Sequence, residues 1–151
     1  MVAPTTSRLQ LALNVDDLEE AVAFYTRLFG TEPAKTRPGY ANFAIADPPL
    51  KLVLFEGVGQ GGTINHLGVE VADAAAVHDA ATRLGERLVT EQPGEDTCCY
   101  ARQEKFWVQD VPDGLRWEVY TVLEDTTGFA GPVTEAVQAE ADQAVASGCC
   151  A

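Results

Sequence analysis

The residues of this chain that could carry chemistry are few and unusually grouped. Its four cysteines form two adjacent pairs, Cys98-Cys99 in "EDTCCYA" and Cys149-Cys150 in the terminal "CCA". Thiolates are soft ligands, so two on one short segment make a chelate for a thiophilic ion such as trivalent arsenic, Cd²⁺ or Cu(I). Consecutive residues of an extended strand point to opposite faces. A pair acting together therefore needs a loop or bulge, and "PGEDTCCYA" supplies such a setting, with Pro93-Gly94 upstream. The acidic neighbours Glu95 and Asp96 keep thiol pKa values from falling, and no histidine lies nearby in sequence to act as a partner base. Chelation fits these residues better than nucleophilic catalysis. The plain alternatives are two unrelated core or surface cysteines, or a strained vicinal disulfide. The terminal pair reads equally as a relay or store for the same ions and as an accident of the chain end.

Of the two histidines, His78 follows Val77 on an acidic helical segment and reads as solvated. His66 opens a strand-like segment. In "RWEVY", Glu118 lies between Trp117 and Val119. If those two face one side, Glu118 faces the other, and a charged residue inside a protein must be paired or bind a metal.

These residues are tied together by an internal repeat. "LQLALNVDD" lies over "NHLGVEVAD" with Leu11 on Leu67, Val15 on Val71 and Asp17 on Asp73, and "TRL" at 26–28 falls on "TRL" at 82–84. Both segments alternate apolar and polar residues as a half-buried strand does. Each leads through an acidic turn into a helix. Leu18, Val22, Tyr25 and Leu28 share one helical face before Gly30; Ala74, Val77, Ala81 and Leu84 do so before Gly85. Strand candidates follow: "YANFAIA" and "KLVLFEG" in the first copy, and "RLVTEQ", "CYARQEKFWVQD" and "RWEVYTVL" in the second, with Pro112-Asp113-Gly114 as a tight turn. Each copy thus reads as strand, helix, then about three strands. Neither buries its own sheet face alone. The expected architecture is α+β: two βαβββ modules, about 8–58 and 64–123, in one domain spanning 8–123, with a curved mixed sheet around a shared cavity. Residues 124–151 form an acidic, Ala-rich tail, read either as a helix from about Pro132 to Ser147 or as a mobile end.

At matching places in the two copies stand Gln10 and His66, and Val53 and Glu118. One corner of this four-cornered arrangement is apolar. Gln10, His66 and Glu118 remain as three donors with open positions, which suits a catalytic metal rather than a closed structural one. A hydrogen-bonded trio without metal has the same spacing, and spacing alone does not separate the two.

Composition narrows the partners. With 23 acidic and 10 basic residues the net charge is −13, a field that repels phosphate backbones and anionic lipid. No apolar run approaches a membrane span, and "MVAPTTSRLQ" has no signal-peptide core. A cytoplasmic protein with reduced thiols is expected, with no nucleic-acid or membrane partner.

The repeat, the trio and the phrases "DLEEAVAFYTRLFG" and "RPGYANFAIADPPLKLVLFEG" joined to "TCCYA" resemble the vicinal oxygen chelate (glyoxalase/dioxygenase) superfamily, and within it the ArsI-type carbon–arsenic lyases. The resemblance covers Arg8 to about Leu123. It implies paired βαβββ modules, Fe(II) on three protein ligands, and O₂ as co-substrate in cleaving the carbon–arsenic bond of trivalent organoarsenicals to inorganic arsenite. It also implies metal ligation by His66, Glu118 and Gln10, the last standing where many relatives carry histidine, and arsenic binding by Cys98 and Cys99. A cysteine segment hinged near Gly94 would load and release arsenic, with Tyr40, Phe43, Tyr100, Phe106 and Trp107 as wall residues or plain packing. Two other readings use the same scaffold: thiol sequestration of cadmium or arsenicals, and a glyoxalase-like isomerase or thiol transferase. Both monomers and module-swapped homodimers are compatible with the sequence.

Overall fold

Alternation in the first strand, Arg8–Val15 (β1), sends Leu11, Leu13 and Val15 to one face and Gln10, Ala12 and Asn14 to the other. The second, partly polar face is the more deeply buried one. That inversion of the usual pattern places polar side chains inside the curled sheet. The computed structural model describes residues 6–126. The proposed C-terminal helix and the Cys149-Cys150 pair lie outside the described residues.

After β1, the Asp17 carboxylate accepts the Glu20 backbone N–H at 2.9 Å and starts helix α1, Leu18–Phe29. Three strands follow: β2, Lys35–Arg37; β3, Tyr40–Ile45; and β4, Leu50–Glu56. The second half repeats the order with β5, Ile64–Glu70; helix α2, Ala74–Leu84, started by Asp73; and β6, Gly94–Cys98, β7, Ala101–Trp107, and β8, Trp117–Asp125. All eight strands form one curled mixed sheet in the order β2-β3-β4-β1-β5-β8-β7-β6. Within each half the first and last strands run parallel, and β1 meets β5 antiparallel at the centre.

Both helices cover the same face. Leu18, Val22, Tyr25 and Phe29 of α1 pack on Leu11, Leu13, Leu52 and Leu54, while Val77 and Ala81 of α2 pack on Val89, Phe106 and Val119. Leu28, expected on the inward stripe of α1, is instead 58% exposed. Phe29, four residues after Tyr25, fills the last turn's inward position. The opposite, concave face carries Gln10, Ala12, Val53, Phe55, His66 and Glu118.

Two local expectations change. "RLVTEQ" is not a strand: Leu88 and Val89 N–H groups turn back onto the Gly85 carbonyl, and Val89 plugs the α2 cluster. The missing strand is Gly94–Cys98, which "PGEDTCCYA" had suggested was a loop. It pairs with β7 in register, Gly94 opposite Lys105 through Cys98 opposite Ala101. An acidic, Gly-led segment has poor strand propensity, and the ladder it finds on β7 overrides that preference.

Candidate active site

Three neighbouring strands bring the predicted trio together. Gln10 on β1 stands opposite Gly68 on β5, which in turn stands opposite Glu118 on β8. A Cβ on Gly68 would lie 3.1 Å from the Glu118 Cγ and 3.3 Å from the Gln10 Cβ. The bare glycine is the gap through which the two long side chains meet. A glycine inside a strand pattern marks such close approach, so this signal was present in the sequence.

The Gln10 Nε2 lies 2.8 Å from His66 Nε2 and donates to Glu118 Oε1 at 2.9 Å. His66 Nε2 is 3.3 Å from the same carboxylate oxygen. All three side chains are buried. Burial pushes the Glu118 carboxyl upward, yet the Lys105 ammonium, the neighbouring His66 ring and the Gln10 amide N–H prevail and bring its pKa down to about 2. Glu118 is therefore a full carboxylate at neutral pH. Lys105 Nζ is 3.5 Å from Glu118 Oε2 and 3.6 Å from Asp96 on the cysteine strand, so one cation spans both regions. Trp107 meets the His66 ring edge-on at 5.4 Å and carries the Arg116 guanidinium 4.3 Å from its ring centre.

The donor set is compatible with a divalent metal: one imidazole, one carboxylate and, after a turn of the amide, the Gln10 carbonyl oxygen. Among the described residues no group of three His, Cys, Asp or Glu side chains is arranged to hold a metal, so a metal here depends on Gln10 as its third donor. The Gln10 amide nitrogen now bridges His66 and Glu118 as a weakly positive group. A cation binding these donors competes with that bridge.

The cysteines end a tight hairpin. Cys98 pairs with Ala101, leaving Cys99 and Tyr100 as the two turn residues, with φ values of 54° and 64°. Positive φ at both central positions is the type I′ pattern, which normally selects Asn-Gly. This turn, rather than a flexible loop, puts the two sulfurs on one side, with Sγ atoms 2.8 Å apart. That distance exceeds the about 2.05 Å of a covalent S–S bond. Cys98 is disulfide-bonded, so only the reduced protein offers both sulfurs as ligands. The turn is pinned from outside the hairpin: Lys35 Nζ of the first module and the Thr126 N–H just after β8 both donate to the Tyr100 carbonyl, at 2.9 and 2.8 Å.

Cys98 and Cys99 pack with Ala12, Tyr40, Val53, Phe55 and Tyr100. Phe55 reaches the metal-ligand candidates, its ring centre 6.3 Å from that of His66. Of the proposed wall residues, Tyr40, Tyr100 and Trp107 lie on this side. Phe43 and Phe106 do not; they belong to the clusters under α1 and α2, because alternation turns them to the opposite face of the sheet. His78 is exposed and paired with Glu104 at 2.7 Å. Sequence reasoning missed Lys105 and Phe55, whose roles depend on cross-strand neighbours that no local pattern encodes.

Comparison with known proteins agrees with this architecture. The glyoxalase/bleomycin resistance protein/dioxygenase superfamily model matches residues 8–119. The cadmium-induced protein CadI of Mycobacterium tuberculosis is 64% identical over 128 residues, 83% of this chain and 84% of that protein. A trivalent organoarsenical cleaving enzyme of Thermomonospora curvata is 58% identical over 126 residues, 82% and 83% of the two chains. Among solved structures, methylmalonyl-CoA epimerase from Mycobacterium tuberculosis superposes with a TM-score of 0.54 at 18% identity, covering 80% of this chain and 90% of that one. At that identity the likeness concerns the fold alone. No helix among the described residues is long and apolar enough to cross a membrane. The chain belongs to the glyoxalase/bleomycin resistance protein/dioxygenase superfamily.

Proposed function

We propose that this protein cleaves the carbon–arsenic bond of trivalent organoarsenicals such as methylarsenite, with Cys98 and Cys99 holding the arsenic and Gln10, His66 and Glu118 holding Fe(II). The observation that carries the reading is continuous packing between the two groups: the cysteine turn packs on Val53 and Phe55, and the Phe55 ring centre lies 6.3 Å from that of His66. The 58% identical relative named for organoarsenical cleavage supports the same substrate class.

In the reduced protein the two thiols replace two oxygen ligands of the arsenic. Two As–S bonds form, two As–O bonds break, and the thiol protons leave with the oxygens as water. The organic group stays on arsenic and faces the concave sheet. Tyr40, Phe55 and Trp107 exclude water around it and suit methyl or aryl groups. Fe(II), when bound, supplies electrons to O₂ as co-substrate. Glu118, already ionised, offers the metal a negative donor without releasing a proton, and Lys105 balances that charge when the metal is absent. For the methyl group the balance closes on one O₂: the carbon–arsenic bond breaks, the carbon leaves with one oxygen as formaldehyde, the other oxygen stays on arsenic as hydroxyl, and arsenite leaves the sulfurs by the reverse exchange with water.

The test is anaerobic loading of the reduced protein with Fe(II), addition of methylarsenite, then O₂, with the arsenic species separated and counted. Inorganic arsenite that appears only with both iron and O₂ supports the lyase. Methylarsenite bound one to one and returned intact on denaturation makes the protein a thiol trap instead. That second reading has its own support in the sulfurs' closeness.

A further inference from the structure

We propose that Asn65, held by Asn14 and Thr63, locks His66 in the tautomer whose Nε2 lone pair points at Gln10 and Glu118. The inference rests on reading His66 as a metal ligand and assigns its positioning residues.

Strict alternation would turn Asn65 away from His66. Between Ala12 opposite His66 and Leu13 opposite Ile64 the β1–β5 ladder skips Asn65, a β-bulge, the device that re-aims side chains beside functional sites. The Asn65 Oδ1 consequently lies 2.8 Å from His66 Nδ1. Its Nδ2 donates to Asn14 Oδ1 at 3.1 Å, and Asn14 Nδ2 donates to Thr63 Oγ1 at 2.9 Å. The Thr63 hydroxyl donates in turn to the Gln60 carbonyl at 2.6 Å.

The direction of this chain is forced from its far end. A backbone carbonyl only accepts, so the Thr63 hydroxyl proton is committed to Gln60. Thr63 Oγ1 then accepts, so Asn14 must present its NH₂ there and its oxygen to Asn65. Asn65 must give its NH₂ to Asn14 and its oxygen to His66. His66 is left with Nδ1–H as the donor and Nε2 as the free lone pair. Ligating histidines are characteristically oriented by such a partner on the other ring nitrogen.

The glycine-rich linker "GVGQGGT" (57–63) also finds a use. A Cβ on Gly59 would lie 2.7 Å from Asn14 Nδ2, so only glycine lets the backbone close over that amide. The Asn14 N–H and C=O are bound by Thr63 O and Gly62 N, at 2.9 and 3.0 Å. The linker thus grips Asn14 and delivers Thr63 to it.

The test uses the full reduced chain with ¹⁵N-labelled histidine at mildly alkaline pH, with His78→Gln distinguishing the two imidazoles. Wild type should show His66 with a protonated Nδ1 and an unprotonated Nε2. Asn65→Leu should shift the population toward the other tautomer and weaken Mn(II) binding, read from the electron paramagnetic signal of the free ion, about tenfold or more. Thr63→Val, which never touches His66, should move the same spectrum part-way, a change that general loosening of the fold does not predict. An Nε2–H tautomer in wild type, or an unchanged spectrum and Mn(II) affinity in Asn65→Leu, overturns the proposal. If wild type shows the expected tautomer but Mn(II) leaves the His66 resonances untouched, the lock is supported and the metal-ligand reading falls.

Discussion

The two halves of the sheet make the same connection with different chemistry. Between β2 and β3 the chain turns through Pro38-Gly39, with Gly39 at φ 69° and Arg37 paired with Tyr40. Proline then glycine is the ordinary composition of a type II turn. Between β6 and β7 the matching turn is Cys99-Tyr100, two side-chain-bearing residues at positive φ. Holding L-residues there costs about 1–2 kcal/mol each. The first half shows that the fold accepts conventional turn residues at this place. The cost in the second half therefore points to what the side chains do: Tyr100 packs against Tyr40 at 5.5 Å, and Cys99 sets its sulfur beside that of Cys98. A second contrast follows the same line, since Val53 adds an apolar group to the buried cluster where Glu118, its counterpart, offers a carboxylate.

The contrast breaks most sharply at the sulfurs. Cys98→Ser or Cys99→Ser should lower the affinity of the reduced protein for methylarsenite by about 10²–10⁴-fold, the gain lost when a second attachment disappears, measured by arsenic retained through desalting. Next, Glu118→Gln should lower Mn(II) or Fe(II) affinity by about 100-fold, at or beyond the upper end of the effect of outer partners, and leave methylarsenite binding within about twofold. Parallel loss of both would show that the two regions do not act independently. Gly68→Ala inserts a Cβ 3.1 Å from the Glu118 side chain. It should cost about 1–3 kcal/mol of stability in a chemical melt and weaken metal binding. The smallest effect on stability is expected for Cys99→Gly. Relief of the positive φ, about 1 kcal/mol, offsets the lost burial of one small side chain, so stability should change by less than about 1 kcal/mol while arsenic binding collapses. Gly39→Ala is its mirror: about 1 kcal/mol of destabilisation with arsenic binding retained.

The amino-acid sequence alone determined the elements whose logic is local and periodic. Asp17 and Asp73 start the helices, alternation defines β1 and β5, the repeat offset placed Gln10 and His66 at equivalent points, and the likeness of "LKLVLF" to "LRWEVY" paired Val53 with Glu118. These survive because 3.6-residue and two-residue periods are imposed by backbone geometry on short stretches of chain. What tertiary structure decided is everything that depends on a neighbouring strand. Gly94–Cys98 becomes β6 only because β7 offers it a ladder, while "RLVTEQ", locally the better strand, yields Val89 to the α2 cluster. The sulfurs converge because Cys98 pairs with Ala101 and forces a two-residue turn. Asn65 reaches His66 only through a bulge created when β5 docks on β1. Lys105 finds Glu118 and Asp96 because β7 lies between the strands that carry them. Side-chain direction at a bulge, a turn or a cross-strand contact is set by long-range register, and register is a property of the assembled sheet.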